Sequence, residues 1–168
     1  ENVMLCGENR DRQGLRLPGK QEQFVKELLA TGKPVVLVVF GGRAQVISDI
    51  ADRCAAVIQA WYPGEEGGNA VADILYGNIS PSAKLSVSYP NTEVYEPICY
   101  NRSTEKDQRV AWEFGHGLSY TTFDYSNLTV DKSAATSADS IVVSFDVKNT
   151  GAVKGDEIAQ LYISPVDD

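Results

Sequence analysis

The sequence predicts an α/β sandwich unit with a largely parallel sheet, followed by an all-β module that is cut short. Three observations carry this prediction. Strand-like and helix-like stretches alternate through the first two thirds of the chain, a polar irregular segment follows, and beyond it apolar residues recur at every second position.

Taken in order, Val3 to Cys6 is a short apolar run ending at Gly7 and reads as a buried strand. Gln21 to Ala30 carries Phe24, Val25, Leu28 and Leu29 on one face at helical spacing; Gly32 is placed to cap this helix and Pro34 prevents its continuation. Val35 to Phe40, opened by Gly32-Lys33-Pro34 and closed by Gly41-Gly42, reads as a second buried strand. A second helix is expected over Ala44 to Arg53, then an apolar run over Ala56 to Trp61. The turn Pro63-Gly64-Glu65-Glu66-Gly67-Gly68 precedes a helical stretch at Asn69 to Tyr76, whose positive dipole end favours the two carboxylates. Capping thus competes with a catalytic reading of Glu65 and Glu66, which as neighbours diverge in direction. Gly77 to Pro81 breaks the helix, and Leu85 to Tyr89 reads as a last short strand.

From Asn91 to Trp112 the composition turns polar, which is the character of a linker or long loop. Ile141, Val143, Phe145 and Val147 then share one face, Asn149-Thr150-Gly151 turns, and Ala159, Leu161 and Ile163 alternate again, as antiparallel strands do. A sandwich of such strands needs about seven of them over roughly 100 residues, and only about half that length follows Tyr120. The chain is therefore expected to be a fragment, because half a sandwich leaves apolar faces and strand edges in water.

Composition narrows the function classes. With 43% hydrophobic and 23% charged residues the chain is of the globular type. Its 15 basic and 23 acidic residues give a formal charge of -8, which repels phosphate backbones, so no nucleic-acid partner is expected. Val35 to Phe40, the longest apolar run, is far short of the roughly 18 to 20 residues that cross a bilayer, and Glu1 begins no basic-then-apolar leader; neither a membrane partner nor a signal peptide is expected. Cys6, Cys54 and Cys99 are odd in number and widely spaced, fitting neither a zinc site nor a disulfide framework. They leave the compartment open, a periplasmic or secreted one being favoured over the cytoplasm. His116 is the single histidine, which argues against a multi-histidine metal site and a hydrolase triad and favours a structural role.

Three strings stand out: Thr31-Gly-Lys-Pro-Val-Val-Leu-Val-Val-Phe-Gly-Gly-Arg43, Ala60-Trp-Tyr-Pro-Gly-Glu-Glu-Gly-Gly-Asn-Ala-Val-Ala-Asp-Ile-Leu-Tyr-Gly77 and Phe114-Gly-His-Gly-Leu-Ser-Tyr-Thr-Thr-Phe123. With Pro81-Ser-Ala-Lys-Leu85 and Asn149-Thr-Gly151, and in this order, they resemble the C-terminal half of glycoside hydrolase family 3, the family of β-glucosidases, β-xylosidases and related exo-acting enzymes. The resemblance implies an α/β sandwich domain over residues 1–91, a linker over 92–118 and the first half of a fibronectin-III-like domain over 119–168, all following an N-terminal β/α barrel that this chain lacks. It implies retaining hydrolysis, in which two carboxyl groups roughly 5 to 5.5 Å apart flank the bond. The nucleophilic aspartate belongs on the barrel, so this chain alone is expected to be inactive. The acid/base glutamate belongs on a loop of the sandwich domain.

Glu8, in Leu5-Cys-Gly-Glu-Asn-Arg-Asp-Arg12, matches the family's Gly-Glu motif and directly follows the first expected strand, where open α/β folds place ligands. Only Asn9 and Arg10 separate it from Asp11-Arg12, whereas many members carry a longer loop. Asp11 and Arg12 are candidates for orienting Glu8 or binding sugar hydroxyls; an ordinary ion pair among Glu8, Arg10, Asp11 and Arg12 is the alternative. Trp61 and Tyr62 divide between sugar stacking and a core or interdomain contact. Expected partners are an oligosaccharide or glycoside substrate and the barrel of the same protein, with no cofactor. A non-catalytic carbohydrate-binding or interaction module is the competing function, motivated by the short loop. A nucleotide-binding reading of Phe40-Gly41-Gly42 and Gly64 to Gly68 lacks both G-x-G-x-x-G and the phosphate-loop lysine.

Overall fold

The computed structural model describes residues 9, 12–94, 98–100 and 109–164, so the expected strand at Val3 to Cys6 lies outside the described residues. The chain divides into two compact units: Glu1–Ala72 with Lys84–His116, and Asp73–Ala83 with Gly117–Asp168.

In the first unit, helix α1 (Gln21–Ala30) forms where the apolar spacing predicts it. Val25 is buried and Leu29 packs on the core, while Phe24 and Leu28 remain exposed. The helix stops where Gly32 adopts φ +74°, its N–H and that of Thr31 returning to the carbonyls of Leu29 and Leu28. Glu22 on its first turn holds Lys26 one turn on and Arg16, and both cations also reach Asp49 at 3.4 and 3.6 Å. Burial alone would raise the Asp49 pKa, but the Lys26 bond and the charges of Lys26 and Arg16 outweigh it and hold it below the usual value.

Strands β1 (Val36–Phe40) and β2 (Ala56–Trp61) pair in parallel, Val36 opposite Ala56, but the strand expected to be buried is so only at Val39, Val36 and Phe40 being exposed at its ends. The register slips after Val39, so that Phe40 faces Trp61, and Trp61 takes φ +51°, a left-handed conformation rare for a bulky residue. Between the strands, the helix expected over Ala44 to Arg53 shrinks to α2 (Ser48–Ala51). The reason is a partner distant in sequence: the Val46 N–H bonds the Leu15 carbonyl at 2.9 Å and Val46 bridges Arg16 in parallel, so Val46 is already committed to an extended pairing.

Helix α3 (Gly67–Leu75) begins earlier than predicted, with the Gly67 N–H on the Gly64 carbonyl. Gly77 at φ +75° ends it. The expected strand at Leu85 to Tyr89 reduces to β3 (Tyr89–Pro90), paired antiparallel with β4 (Val110–Trp112), which comes from the stretch read as linker. Leu85 still exchanges backbone bonds with Gly115 and His116, but between these points Ser88 Oγ takes the Phe114 N–H, which interrupts the ladder. Among the described residues of this unit the sheets are thus small: one parallel pair and one antiparallel pair, rather than a largely parallel sheet. Val25, Val39, Ile47, Ile50, Ala51 and Tyr89 form the core, with Trp61 tilted against Tyr89 at a ring separation of 6.5 Å and Trp112 edge-on to it at 5.6 Å.

In the second unit, β5 (Phe123–Val130) and β6 (Val143–Asn149) form an antiparallel pair that breaks between Ser126 and Thr129, where Asn127 has φ +54°. Tyr125 and Phe145 stack across it, with ring centres 5.8 Å apart. The alternation at Ala159, Leu161 and Ile163 yields no strand, because no described strand pairs with it; Ile163 is 92% exposed. A knot of hydroxyls and an amide closes the base of the ribbon. Thr121 Oγ1 donates to Asn149 Oδ1 at 2.7 Å, which also accepts the Gly151 N–H at 3.0 Å. Ser80 and Ser119 share a bond of 2.9 Å, and Ser80 Oγ accepts the Tyr120 N–H at 3.0 Å.

A side chain at Gly151 would land on the Thr121 hydroxyl and within 3.1 Å of the Thr122 backbone nitrogen. Gly151→Ala should therefore destabilise the protein by about 1–3 kcal/mol, whereas Gly68→Ala, which meets nothing within 4 Å inside α3, should be neutral or stabilising by about 0.5–1 kcal/mol. Thermal unfolding of the two variants beside the parent protein checks the contrast.

Candidate functional site

Of the residues singled out in the sequence, Glu8 and Asp11 lie outside the described residues. Arg12 lies within them, and so does Asn9, which is exposed with φ +59°, a conformation that asparagine tolerates better than most residues.

Arg12 is held from both ends. Its Nη2 donates to Gln45 Oε1 at 2.6 Å and its Nη1 to the Gly14 carbonyl at 3.3 Å, while its own carbonyl accepts Arg43 Nη1 at 3.2 Å. Gln45 is 1% exposed, so the bond forms where water cannot replace it. Just downstream, Glu93 takes two successive backbone donors on one carboxylate, Leu15 at 2.8 Å and Arg16 at 3.2 Å. Gly14 makes this possible with φ +82°, and a Cβ there would lie 3.3 Å from Glu93 Oε1. Arg12 to Arg16 is thereby stitched to Arg43–Val46 on one side and to Glu93 on the other.

A polar strip, buried at Gln45 and Tyr89 and half-buried at Gln59, stands behind this anchor. Tyr89, 2% exposed, donates its hydroxyl to Gln59 Oε1 at 2.5 Å and receives the Gln45 backbone N–H. Gln59 Nε2 in turn donates to the Gly41 carbonyl at 3.2 Å, and the Gly41 N–H reaches the Trp61 carbonyl at 3.2 Å. The turn leaving the carboxyl end of β1 is thus welded to the end of β2, and Arg43 from that turn reaches Arg12. Burial pushes the Tyr89 phenol up to about 12, only partly offset by the Gln45 N–H.

The other sequence candidates fall outside this arrangement. Trp61 packs on the core, while Tyr62 is 63% exposed and lies with its hydroxyl end against Gly42, where a Cβ would be 3.0 Å from Tyr62 Cζ. Glu65 and Glu66 are exposed at the start of α3, where Glu66 accepts the Asn69 amide. His116 is exposed and acts through its carbonyl, which accepts the Leu85 N–H at 2.8 Å. Cys54 is half-buried against the core, which raises its thiol pKa, and Cys99 is exposed. Among the described residues no three His, Cys, Asp or Glu side chains cluster as metal ligands, and no helix is long and apolar enough to cross a membrane. Sequence reasoning missed Arg43, Gln45 and Glu93. Arg43 closes one of the recognised strings, but Gln45 sat inside an expected helix and Glu93 inside an expected linker.

What this arrangement supplies is a fixed position for Arg12, held through its guanidinium and its carbonyl. The model of the glycosyl hydrolase family 3 C-terminal domain matches residues 1–120. A β-xylosidase of Formosa agariphila is 36% identical over 169 residues, an alignment covering 94% of this chain and 23% of that protein. The periplasmic β-glucosidase of Salmonella typhimurium is 32% identical over 184 residues, covering 99% and 24%. Among solved structures, a β-glucosidase from Listeria innocua in complex with isofagomine superposes with a TM-score of 0.78 at 28% identity, covering 92% of this chain and 24% of that one. The chain spans about a quarter of the length of these relatives.

The Tyr89 phenol keeps its proton longer in the folded state than in the unfolded one, where it titrates near 10. Its contribution to stability is therefore complete below about pH 10 and is lost as the pH rises from there toward 12. That contribution is on the order of 2–3 kcal/mol. Tyr89→Phe should lower stability at pH 8 through the lost hydrogen bond, by about 1–2 kcal/mol, and should flatten the alkaline decline. Denaturant midpoints between pH 8 and 11 for both proteins check this; parallel curves would contradict it.

Proposed function

Because the chain belongs to the glycosyl hydrolase family 3 C-terminal domain family, we propose that it is part of a retaining exo-β-glycosidase, a β-glucosidase, that removes terminal β-linked sugars from oligosaccharides or glycosides. The observation that carries the reading is the ordered match over nearly the whole chain to β-xylosidases and β-glucosidases. In this reading residues 119–168 begin a fibronectin-III-like domain, and a barrel domain of the same protein supplies the nucleophilic aspartate.

Glu8 is the acid/base. As the attacking carboxylate bonds to the anomeric carbon, the bond to the leaving oxygen breaks and that oxygen takes the Glu8 proton; in the second step Glu8 accepts a proton from the water that releases the sugar. Partial burial between domains would raise the Glu8 pKa enough for it to donate near neutral pH. Asp11 orients Glu8 or meets a sugar hydroxyl. Arg12 likewise orients Glu8 or meets a sugar hydroxyl; the bonds of its guanidinium to Gln45 and Gly14 support the orienting role.

Glu8→Gln in the full-length protein should slow hydrolysis of alkyl glycosides and disaccharides about 100-fold or more, since general acid catalysis contributes about that much. With 2,4-dinitrophenyl glycosides, whose leaving group needs no proton, the first step should be nearly unchanged. Equal losses on both substrates, measured as kcat/KM, would remove Glu8 from the role.

A further inference from the structure

We propose that Tyr62 is a stacking platform for a sugar ring on the leaving side of the bond that is cleaved, and thereby helps to set which oligosaccharides bind. The proposal rests on the exo-β-glycosidase reading and adds a binding residue to it.

Tyr62 stands where the parallel strands end. Open α/β folds place ligands outside the carboxyl ends of their strands, and Tyr62 directly follows Trp61, the last residue of β2. The chain is fixed on both sides of it. Trp61 takes φ +51° while its carbonyl accepts the Gly41 N–H at 3.2 Å and its indole packs beside Tyr89; a backbone so strained persists only where surrounding contacts impose it. Beyond Tyr62, Pro63 lies against Gly67, the first residue of α3, where a Cβ would come within 3.0 Å of Pro63 Cβ. The distal end of the Tyr62 ring rests on Gly42, where a Cβ would lie 3.0 Å from Tyr62 Cζ and 3.1 Å from its hydroxyl oxygen. Any larger residue at Gly42 would lift the ring off this seat.

So placed, Tyr62 is 63% exposed, and among the described residues its hydroxyl has no hydrogen-bond partner. A tyrosine offers an apolar body and a polar tip, and neither is spent here. A β-linked pyranose with equatorial hydroxyls complements both: its axial C–H bonds make an apolar face for the ring, and its rim carries hydroxyls for the phenol. Sites that hold a whole small ligand bury most of its surface. An exposed ring covers one face only, which suits a sugar unit that stays partly in water, on the leaving side of the bond.

The test measures kcat and KM of the full-length protein on methyl β-glucoside, which has no second sugar, and on cellotriose and laminaritriose. On the trisaccharide of the preferred linkage, Tyr62→Ala should raise KM about threefold to tenfold, the worth of one aromatic contact. Its kcat should stay within about twofold, because the contact is equal in the ground and transition states. Methyl β-glucoside should be unaffected, and Tyr62→Phe, which keeps the ring, should stay within about twofold of the parent protein throughout. If Tyr62→Ala fails to fold, Gly42→Ala, which displaces the ring without removing it, is held to the same criterion. No rise in KM, an equal rise on methyl β-glucoside, or a Tyr62→Phe profile matching that of Tyr62→Ala overturns the proposal. If the parent protein hydrolyses none of these substrates, the β-glucosidase reading fails, and calorimetric titration with the two trisaccharides decides the platform. Binding that Tyr62→Ala abolishes then upholds Tyr62 as a sugar-stacking residue, and no binding or equal binding overturns it.

Discussion

The first unit depends on a set of buried and half-buried polar groups bonded to one another. Gln59, Tyr89 and Gln45 lie in or beside the apolar core, and each spends its hydrogen-bonding capacity on another protein group. Such a bond contributes only about 1 kcal/mol net, but leaving one partner buried and unmatched costs about 1–3 kcal/mol. The strip therefore behaves as one unit, and what attaches to it inherits its rigidity. The turn after β1, the extended stretch before α2 and Arg12 all attach to it.

The second unit is built on a different principle. Its β5–β6 ribbon leaves Tyr125, Leu128 and Phe145 at least a third exposed, and a two-stranded ribbon alone is marginal in water. What holds its base is polar: Thr121, Asn149, Ser80 and Ser119 saturate one another and the neighbouring backbone. Apolar ribbon faces of this kind suit membership in a larger β-sandwich, which accords with the fibronectin-III-like proposal.

Where the sequence carried a strong local signal, the structure follows it. Helix α1 and strands β1 and β2 were legible because Phe24 to Leu29 repeat at helical spacing, and because Val36 to Phe40 and Ala56 to Trp61 are apolar runs bounded by turn residues. The misses share one physical cause, competition from distant partners. Val46 is drawn out of a helix by Leu15, Ser88 diverts the Phe114 N–H from a ladder, and residues 159–163 keep their alternation without a described strand to pair with. Of the polar anchor the structure describes, only Arg12 was singled out in the sequence: Glu93 meets Leu15 and Arg16 across 78 and 77 residues, and a buried glutamine looks like any other in a string of letters. The sandwich linker likewise hid β4, because Val110 and Trp112 gain their role only beside Tyr89 and Pro90.

Trp61 meets two demands that conflict. Its backbone occupies the left-handed region at φ +51°, where glycine or asparagine would sit more easily, while its indole helps enclose Tyr89. The conformational penalty is of order 1–3 kcal/mol, and the packing offsets it. A lineage that relaxed the backbone by a single change to glycine would open a void beside the buried phenol, and one that chose a branched aliphatic would worsen the strain. This position is thus an evolutionary bottleneck, open to exchange only when a compensating change elsewhere in the core arrives first.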